Sequence, residues 1–89
     1  MTSVAEYAAA DRRGIVRLLN TAAGRALCLA GAIDAASVDS FRRRYGREPI
    51  EVDVIDTASV TELSAEGAEL LREHLAAAER SGRRVLVRG

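Results

Sequence analysis

One stretch, Val54 to Leu71, constrains the fold more than any other part of the chain. It begins with an apolar, β-branched run that ends at Asp56, continues through the polar segment Thr57–Leu63, and takes on helical spacing from about Ser64. This pattern predicts a strand, a loop and a helix start in that order. In open α/β sheets, binding and catalytic sites usually lie where a strand ends and the following helix begins.

The rest of the chain alternates between extended and helical patterns. Two apolar runs joined by the glycine-containing turn at residues 21–24 predict an antiparallel hairpin. Helical spacing from Ala35 to Tyr45 predicts a first helix, and the alternating run Ile50–Asp56 predicts the next strand. A short apolar run at residues 83–88 predicts a last strand that is buried on both faces of the sheet.

The resulting order of elements is β-β-α-β-α-β. The last two strands are joined through a helix, so they should run parallel with a right-handed crossover. We therefore expect an α/β domain over residues 15–89, with a small mixed four-stranded sheet and two main helices on one face. Residues 1–14 are interpreted as an N-terminal extension, for which a short helix and a frayed segment are both open.

Both predicted helices have recognisable starts. Asp34 is a good N-cap for the first helix, with Ser37 three residues later, and Gly46 is a natural stop. The second helix is predicted from about Ser64 to Arg80. His74 falls between its buried stripe and its solvent face, and is predicted to lie on the helix surface. The residues predicted to form the buried stripe are Ala68, Leu71, Leu75 and Ala78, with Leu70 beside them.

The charge balance limits the partners of the chain. Thirteen basic and thirteen acidic residues give a formal net charge of zero. Such a chain is not expected to bind nucleic acid, or an anionic membrane surface, as its main partner. The short arginine clusters at 42–44 and 83–84 are interpreted as solvated edges of secondary structure. Near-zero net charge also gives little repulsion between copies, which favours self-association.

A single cysteine and a single histidine restrict the chemistry. Cys28 has no partner for an intrachain disulfide, which suggests a reducing compartment, and its apolar surroundings predict a buried thiol. His74 has no cysteine or histidine near it in sequence, so no metal site is expected. The sequence shows neither a secretory leader nor an apolar run of membrane length, and we expect a soluble, cytoplasmic protein.

Catalytic motifs are also missing from the sequence. It has no glycine-rich phosphate-binding fingerprint, no nucleophile elbow, and no Ser/His/Asp set placed by motif. We therefore expect a non-enzymatic protein without a cofactor, in which the strand exit and helix start bind a partner protein.

Four motifs along the chain carry a family resemblance. In this order, over roughly residues 15–88, they resemble the STAS domain family of bacterial anti-sigma factor antagonists and their relatives. The resemblance implies a protein–protein interaction module in partner-switching control of transcription. It also implies a partner, an anti-sigma factor that is a serine kinase of the ATPase-kinase fold. The motifs are Leu29-Ala-Gly-Ala-Ile-Asp34, Val54-Ile-Asp-Thr-Ala-Ser-Val60, Leu63-Ser-Ala-Glu-Gly67 and Gly82-Arg-Arg-Val-Leu-Val87.

The family's switch motif is altered in this chain. In the family, the helix opens with an Asp-Ser-Ser-Gly-like motif whose first serine is phosphorylated, which ends binding. The matching stretch here is Ser64 to Gly67, and Ala65 occupies the phosphoacceptor position without a hydroxyl. Ser64 is open to three interpretations: a helix N-cap, a partner contact, or a displaced phosphoacceptor. Glu66 is either a first-turn acid favoured by the helix dipole or a fixed charge that mimics the phosphorylated state.

Two further functions stay open at this point. STAS-like domains also act as non-phosphorylated accessory subunits of transporter ATPases in lipid trafficking, or of signalling scaffolds, and Ala65 favours such a role. A small-molecule or nucleotide-binding module rests on fold analogy alone.

The last expectations concern the covering of the sheet and the site residues. Family members continue beyond the last strand, so the chain is short at its C-terminus relative to the family. We expect the N-terminal segment or a second copy, in a homodimer, to cover the strand edge that is left. The residues predicted to bind a partner are Asp34, Asp56, Thr57, Ser59, Thr61, Ser64, Ala65, Glu66 and Gly67.

Overall fold

The computed structural model describes residues 14–89, so the predicted N-terminal extension lies outside the described residues except for Gly14. Four strands and two helices follow one another in the predicted order. None of the helices in residues 14–89 is long and apolar enough to cross a membrane. The elements are β1 (Ile15–Thr21), β2 (Gly24–Ile33), α1 (Ala35–Tyr45), β3 (Val54–Leu63), α2 (Ala65–Arg80) and β4 (Leu86–Arg88).

The four strands form one mixed sheet in the order β1-β2-β3-β4. β1 and β2 pair antiparallel as a hairpin, whereas β2 pairs with β3, and β3 with β4, in parallel. Both helices pack on the same face, against the sheet and against each other. The predicted α/β architecture is therefore confirmed for the described part of the chain.

The core lies between the helices and one face of the sheet. Val16 and Leu29 pair across the hairpin, and both point to this face. Phe41 of α1 and Leu70 of α2 close the core from above, each 2 % exposed. The buried core residues are Val16, Leu27, Leu29, Ile33, Val38, Phe41, Val52, Ile55 and Leu70.

An ion pair also joins the two helices. The Arg42 guanidinium of α1 donates from Nη2 to both carboxylate oxygens of Glu73 in α2, at 3.0 and 3.2 Å. Both side chains are partly shielded from water, with 25 % and 33 % of their side-chain surface exposed. Charged pairs with this shielding contribute more than exposed ones, so the contact helps to fix the relative position of α1 and α2.

The prediction of a loop over Thr57–Leu63 is wrong, because these residues continue β3. The register between β2 and β3 shifts at two places along this segment, which marks irregular, bulged pairing. Serine, threonine and an acid give the segment a loop-like composition. Thr57, Val60 and Thr61 are nevertheless β-branched, and the neighbouring β2 supplies a ladder for their backbone groups. The strand also begins later than predicted, at Val54 instead of Ile50.

The prediction that the last strand is buried on both faces is also wrong. β4 has only three residues, and Leu86 and Val87 remain 55 % and 54 % exposed. It pairs with β3 along one side, and within residues 14–89 no strand lies on its other side. An apolar run alone does not distinguish a central strand from an edge strand.

The buried stripe of α2 differs from the predicted one. Gly67, Leu70 and His74 are its buried residues, whereas Leu75 is 40 % exposed. The prediction of a surface histidine is therefore wrong: His74 is 3 % exposed, and its ring meets the Phe41 ring edge-on at 6.2 Å. The contacts with α1 set the rotation of α2, and these contacts are not visible in the periodicity of one helix.

Candidate functional site

Both helices begin side by side at the end of the sheet where β2 and β3 finish. Ile33 ends β2 and pairs with Leu63, which ends β3. The Ser64 amide donates a hydrogen bond of 2.9 Å to the Ile33 carbonyl oxygen. Because Asp34 follows Ile33, this bond brings the two N-cap residues next to each other. We call this group the rim, consisting of Asp34, Ser64, Ala65, Glu66 and Gly67.

Asp34 starts α1 through a reciprocal capping box. Its Oδ1 accepts from the Ser37 amide at 2.9 Å and from the Ser37 hydroxyl at 2.8 Å. The Asp34 amide donates in turn to the Ser37 hydroxyl oxygen at 3.3 Å. Donation from the Ser37 amide, and then from its hydroxyl, holds the pKa of Asp34 below its ordinary value. The predicted cap is confirmed, and it keeps an exposed, ionised carboxylate at the rim.

Ser64 starts α2 in a similar way. Its hydroxyl oxygen accepts from the Gly67 amide at 3.1 Å, and its carbonyl oxygen accepts from the Ala68 amide at 2.9 Å. Ser64 is half-buried, whereas the next two residues, Ala65 and Glu66, are exposed. Of the three interpretations of Ser64, the N-cap is confirmed. The exposed acid in the first turn adds negative charge where the helix dipole favours it.

Gly67 is required by close packing at the rim. A Cβ atom built on Gly67 would lie 2.7 Å from Leu63 Cδ1 and 2.8 Å from Ile33 Cγ2. Both distances are too short for carbon atoms, and Ile33 is 2 % exposed and has little room to move. Glycine therefore lets the first turn of α2 rest directly on the ends of β2 and β3.

The structure does not bring three of the predicted site residues to the rim. Asp56, Thr57 and Ser59 lie within β3, and Asp56 is eight residues before Ser64. At about 3.3 Å per residue this separates Asp56 from the rim by roughly 20 Å or more. Asp56 accepts from the Ala58 amide at 3.0 Å, and the Thr57 hydroxyl donates to the Arg88 carbonyl oxygen at 2.9 Å. Thr61 also belongs to β3, where it is exposed and closer to the rim.

Cys28 lies on the sheet face opposite the helices. Its neighbours across the strands are Arg17 and Asp56. The thiol is half-buried, so the predicted burial is only partial. Burial raises the pKa of Cys28, and the nearby Asp56 carboxylate raises it further. A thiol with a raised pKa is a weak nucleophile, and nothing at this position resembles an activated cysteine.

Asp53, which is not among the predicted site residues, organises the opposite end of the sheet. Its carboxylate accepts from the Arg25 amide at 3.0 Å and from Arg83 Nη2 at 2.9 Å. Its backbone also joins neighbouring segments, since its amide donates to the Arg25 carbonyl and its carbonyl accepts from the Leu86 amide. Its two partners lie 28 and 30 positions away in the chain, so no local spacing pattern could have revealed this role.

The rim presents polar groups at two neighbouring helix starts. Among residues 14–89, no group of three or more His, Cys, Asp or Glu side chains is placed to hold a metal ion. His74, the chain's one histidine, is buried, and its Nδ1 bonds the Leu70 carbonyl at 2.9 Å, so it does not serve Ser64 as a base. What the rim presents is a half-buried hydroxyl, a small apolar Ala65, and the carboxylates of Asp34 and Glu66. Such a surface suits docking to a protein.

Comparison with known proteins does not identify a family for this chain. No family model, no curated protein and no solved structure matches the chain.

Proposed function

We propose that this chain is a non-enzymatic protein–protein interaction module that docks its partner at the rim. The observation that carries the proposal is the bond between the Ser64 amide and the Ile33 carbonyl, which sets two capped helix starts side by side. Both caps are made locally, so the outward surfaces of Asp34, Ala65 and Glu66 are free for a partner. Exposed acids at helix starts favour a partner surface that carries basic groups.

The leading version of this role is that of an anti-sigma factor antagonist of the STAS type. The order of the elements and the position of the Ser64–Gly67 stretch, directly after a sheet strand and at a helix start, support it. The partner would then be an anti-sigma factor with the ATPase-kinase fold, and the site of action the cytoplasm. In such a role the exposed Ala65 cannot be phosphorylated, so docking would not be ended by modification at that position.

Ser64 retains a hydroxyl that a kinase could modify. A phosphate there would sit at the N-terminus of α2, where free amide groups and the helix dipole stabilise negative charge. The hydroxyl oxygen already accepts from the Gly67 amide, so modification would have to rearrange the cap. Incubation with the partner kinase and ATP, followed by mass spectrometry, tests this. A chain that gains no phosphate rules out the displaced acceptor.

The second candidate is a non-phosphorylated accessory subunit of a transporter ATPase or a signalling scaffold. The specific observation in its favour is Ala65, which is exposed at the position where the resembling family carries its phosphoacceptor. Both candidates use the rim as the docking surface, so they differ in the partner and not in the site.

Site-specific photo-crosslinking in the native host separates the two candidates. A benzoylphenylalanine residue replaces Ala65 in one variant and Glu79 in a control variant, where it stands exposed at the far end of the same helix. We expect position 65, and not position 79, to capture a protein that mass spectrometry identifies as an ATPase-fold serine kinase. Capture of a transporter ATPase instead would establish the second candidate. Equal capture from both positions would contradict docking at the rim.

A further inference from the structure

The outer edge of β1 is regular and has no paired strand among residues 14–89. β1 pairs with β2 over all seven of its residues, from Ile15 to Thr21, without a register shift. Among residues 14–89, no strand pairs with its other side. Natural edge strands are usually short, or protected by proline, a bulge or several charges. β1 has only one charged residue, Arg17, and neither a proline nor a bulge.

Several side chains of β1 are apolar although they are exposed or only partly buried. Ile15 and Leu19 are 47 % and 40 % exposed and lie on the sheet face opposite the helices. Leu18 points to the helix face, where it packs only partly against the core. A groove of about 480 Å³, bordered by Phe41 and Tyr45, runs between α1 and β1 beside this edge. Within the described part of the chain, this edge therefore carries apolar groups on both faces of the sheet.

We propose that two copies of this chain pair through β1, as antiparallel strands with Leu18 opposite Leu18 of the second copy. This is the register in which all seven residues of β1 find a partner. It sets Val16 opposite Asn20, Arg17 opposite Leu19, and Ile15 opposite Thr21. A two-fold interface must be complementary to itself, and this one opposes no like charges.

The competing register shows why Leu18 is the centre. Shifting the two-fold axis by one residue, to Arg17, would set two guanidinium groups directly opposite each other, which destabilises a strand pair. In the register centred on Leu18, the aliphatic stem of each Arg17 instead covers Leu19 of the other copy. The formal net charge of zero adds no general repulsion between the copies.

Pairing through β1 leaves the rim available. β2 separates β1 from β3, and α2 starts at the end of β3. The dimer would therefore carry one eight-stranded sheet and two rims. It does not depend on the proposed function, since an interface at β1 can form whichever partner the rim binds.

Two substitutions at one position test the interface in the full chain. Leu19→Glu and Leu19→Lys both remove the same apolar side chain, but they set opposite charges against Arg17 of the second copy. We expect wild type and Leu19→Glu to sediment as dimers, and the dissociation constant of Leu19→Lys to be about tenfold higher than that of Leu19→Glu, because the contact occurs twice. A monomer at all concentrations, or equal constants for the two variants, would overturn the proposal.

Crosslinking tests the register independently. In a Cys28→Ser background, Leu18→Cys should form a disulfide-linked dimer under mild oxidation, because opposed residues of antiparallel strands lie within disulfide reach. Asn20→Cys is the control, since Asn20 faces Val16 and not itself. Linkage from position 20 as fast as from position 18 would contradict the register. A monomer whose β1 amides resist hydrogen exchange would mean that another segment of the chain covers the edge, which also overturns the proposal.

Discussion

The two ends of the sheet each depend on an aspartate, but the two carboxylates have different surroundings. At the rim, Asp34 accepts hydrogen bonds from Ser37, three residues away. At the opposite end, Asp53 accepts from Arg25 and Arg83, which are 28 and 30 residues away. One carboxylate shapes its own helix start, whereas the other fastens three distant segments together.

This difference separates a surface for binding from a surface for folding. A cap made by near neighbours stays intact when a partner docks, and it leaves the outer side of the carboxylate free. A carboxylate whose two oxygens hold remote segments has less freedom to accept a new partner without loosening the fold. We therefore predict that changes at the Asp53 end affect stability, and that charge changes at the rim affect binding.

The largest effect is expected from Gly67→Val, which breaks the packing under the rim. The added side chain would collide with Leu63 and the buried Ile33. Overpacking of this kind, together with a β-branched residue in a helix, should lower the free energy of unfolding by about 3 kcal/mol. Urea denaturation measures it. Gly67→Ala should lose less of the free energy of unfolding than Gly67→Val, because alanine recovers helix propensity. A Gly67→Val variant as stable as wild type would contradict the close packing at this position.

The next largest effect is expected from Asp53→Ala, which should leave the rim unchanged. It removes the acceptor for the Arg25 amide and for Arg83, and we expect a loss of about 2 kcal/mol in the free energy of unfolding. Asp53→Asn keeps an acceptor for the amide and should lose less. The affinity for the partner should stay within about twofold of wild type for both variants. Impaired binding in a folded Asp53→Asn chain would erase the distinction between the two ends.

Ser64→Ala should cost about 1 kcal/mol of stability, because it deletes the acceptor for the Gly67 amide. Thermal unfolding of this variant beside Ser64→Asp, which restores a capping oxygen, measures the effect. Recovery by aspartate would support the cap. Equal melting temperatures for alanine, aspartate and wild type would show that the cap contributes nothing.

The smallest effect concerns the charge on Asp34 and depends on pH. The pKa of Asp34 is lowered in the folded chain. The stabilisation that its ionised carboxylate contributes is therefore fully present above the ordinary aspartate pKa. It is lost as the pH falls through the lowered value. The stability difference between wild type and Asp34→Asn should therefore be constant near neutral pH and shrink below about pH 4. A difference that does not change between neutral and acid pH would contradict the role of the ionised cap.

The sequence predicted those features that depend on neighbouring residues. The two N-caps, Asp34 and Ser64, and both helices follow from short spacings that the structure confirms. The β-α-β order also predicted that the last two strands, β3 and β4, pair in parallel.

The failed predictions concern features that depend on contacts between distant segments. Thr57–Leu63 looks like a loop until β2 is placed beside it, and His74 looks exposed until α1 covers it. β2 pairs with Thr57–Leu63, and α1 covers His74. Both elements lie too far away in sequence for a local pattern to reveal these contacts. For the same reason the sequence pattern places Asp56 close to the start of α2, whereas the extended β3 carries it away.

Docking at the rim is tested by comparing Glu66→Arg with Glu79→Arg in binding to the partner captured from position 65. Both glutamates are exposed on α2, the first at the rim and the second in the last turn. We predict that Glu66→Arg weakens binding by about tenfold or more, while Glu79→Arg changes it by less than about twofold. Equal losses, or a larger loss from Glu79→Arg, would contradict the assignment of the rim as the docking surface.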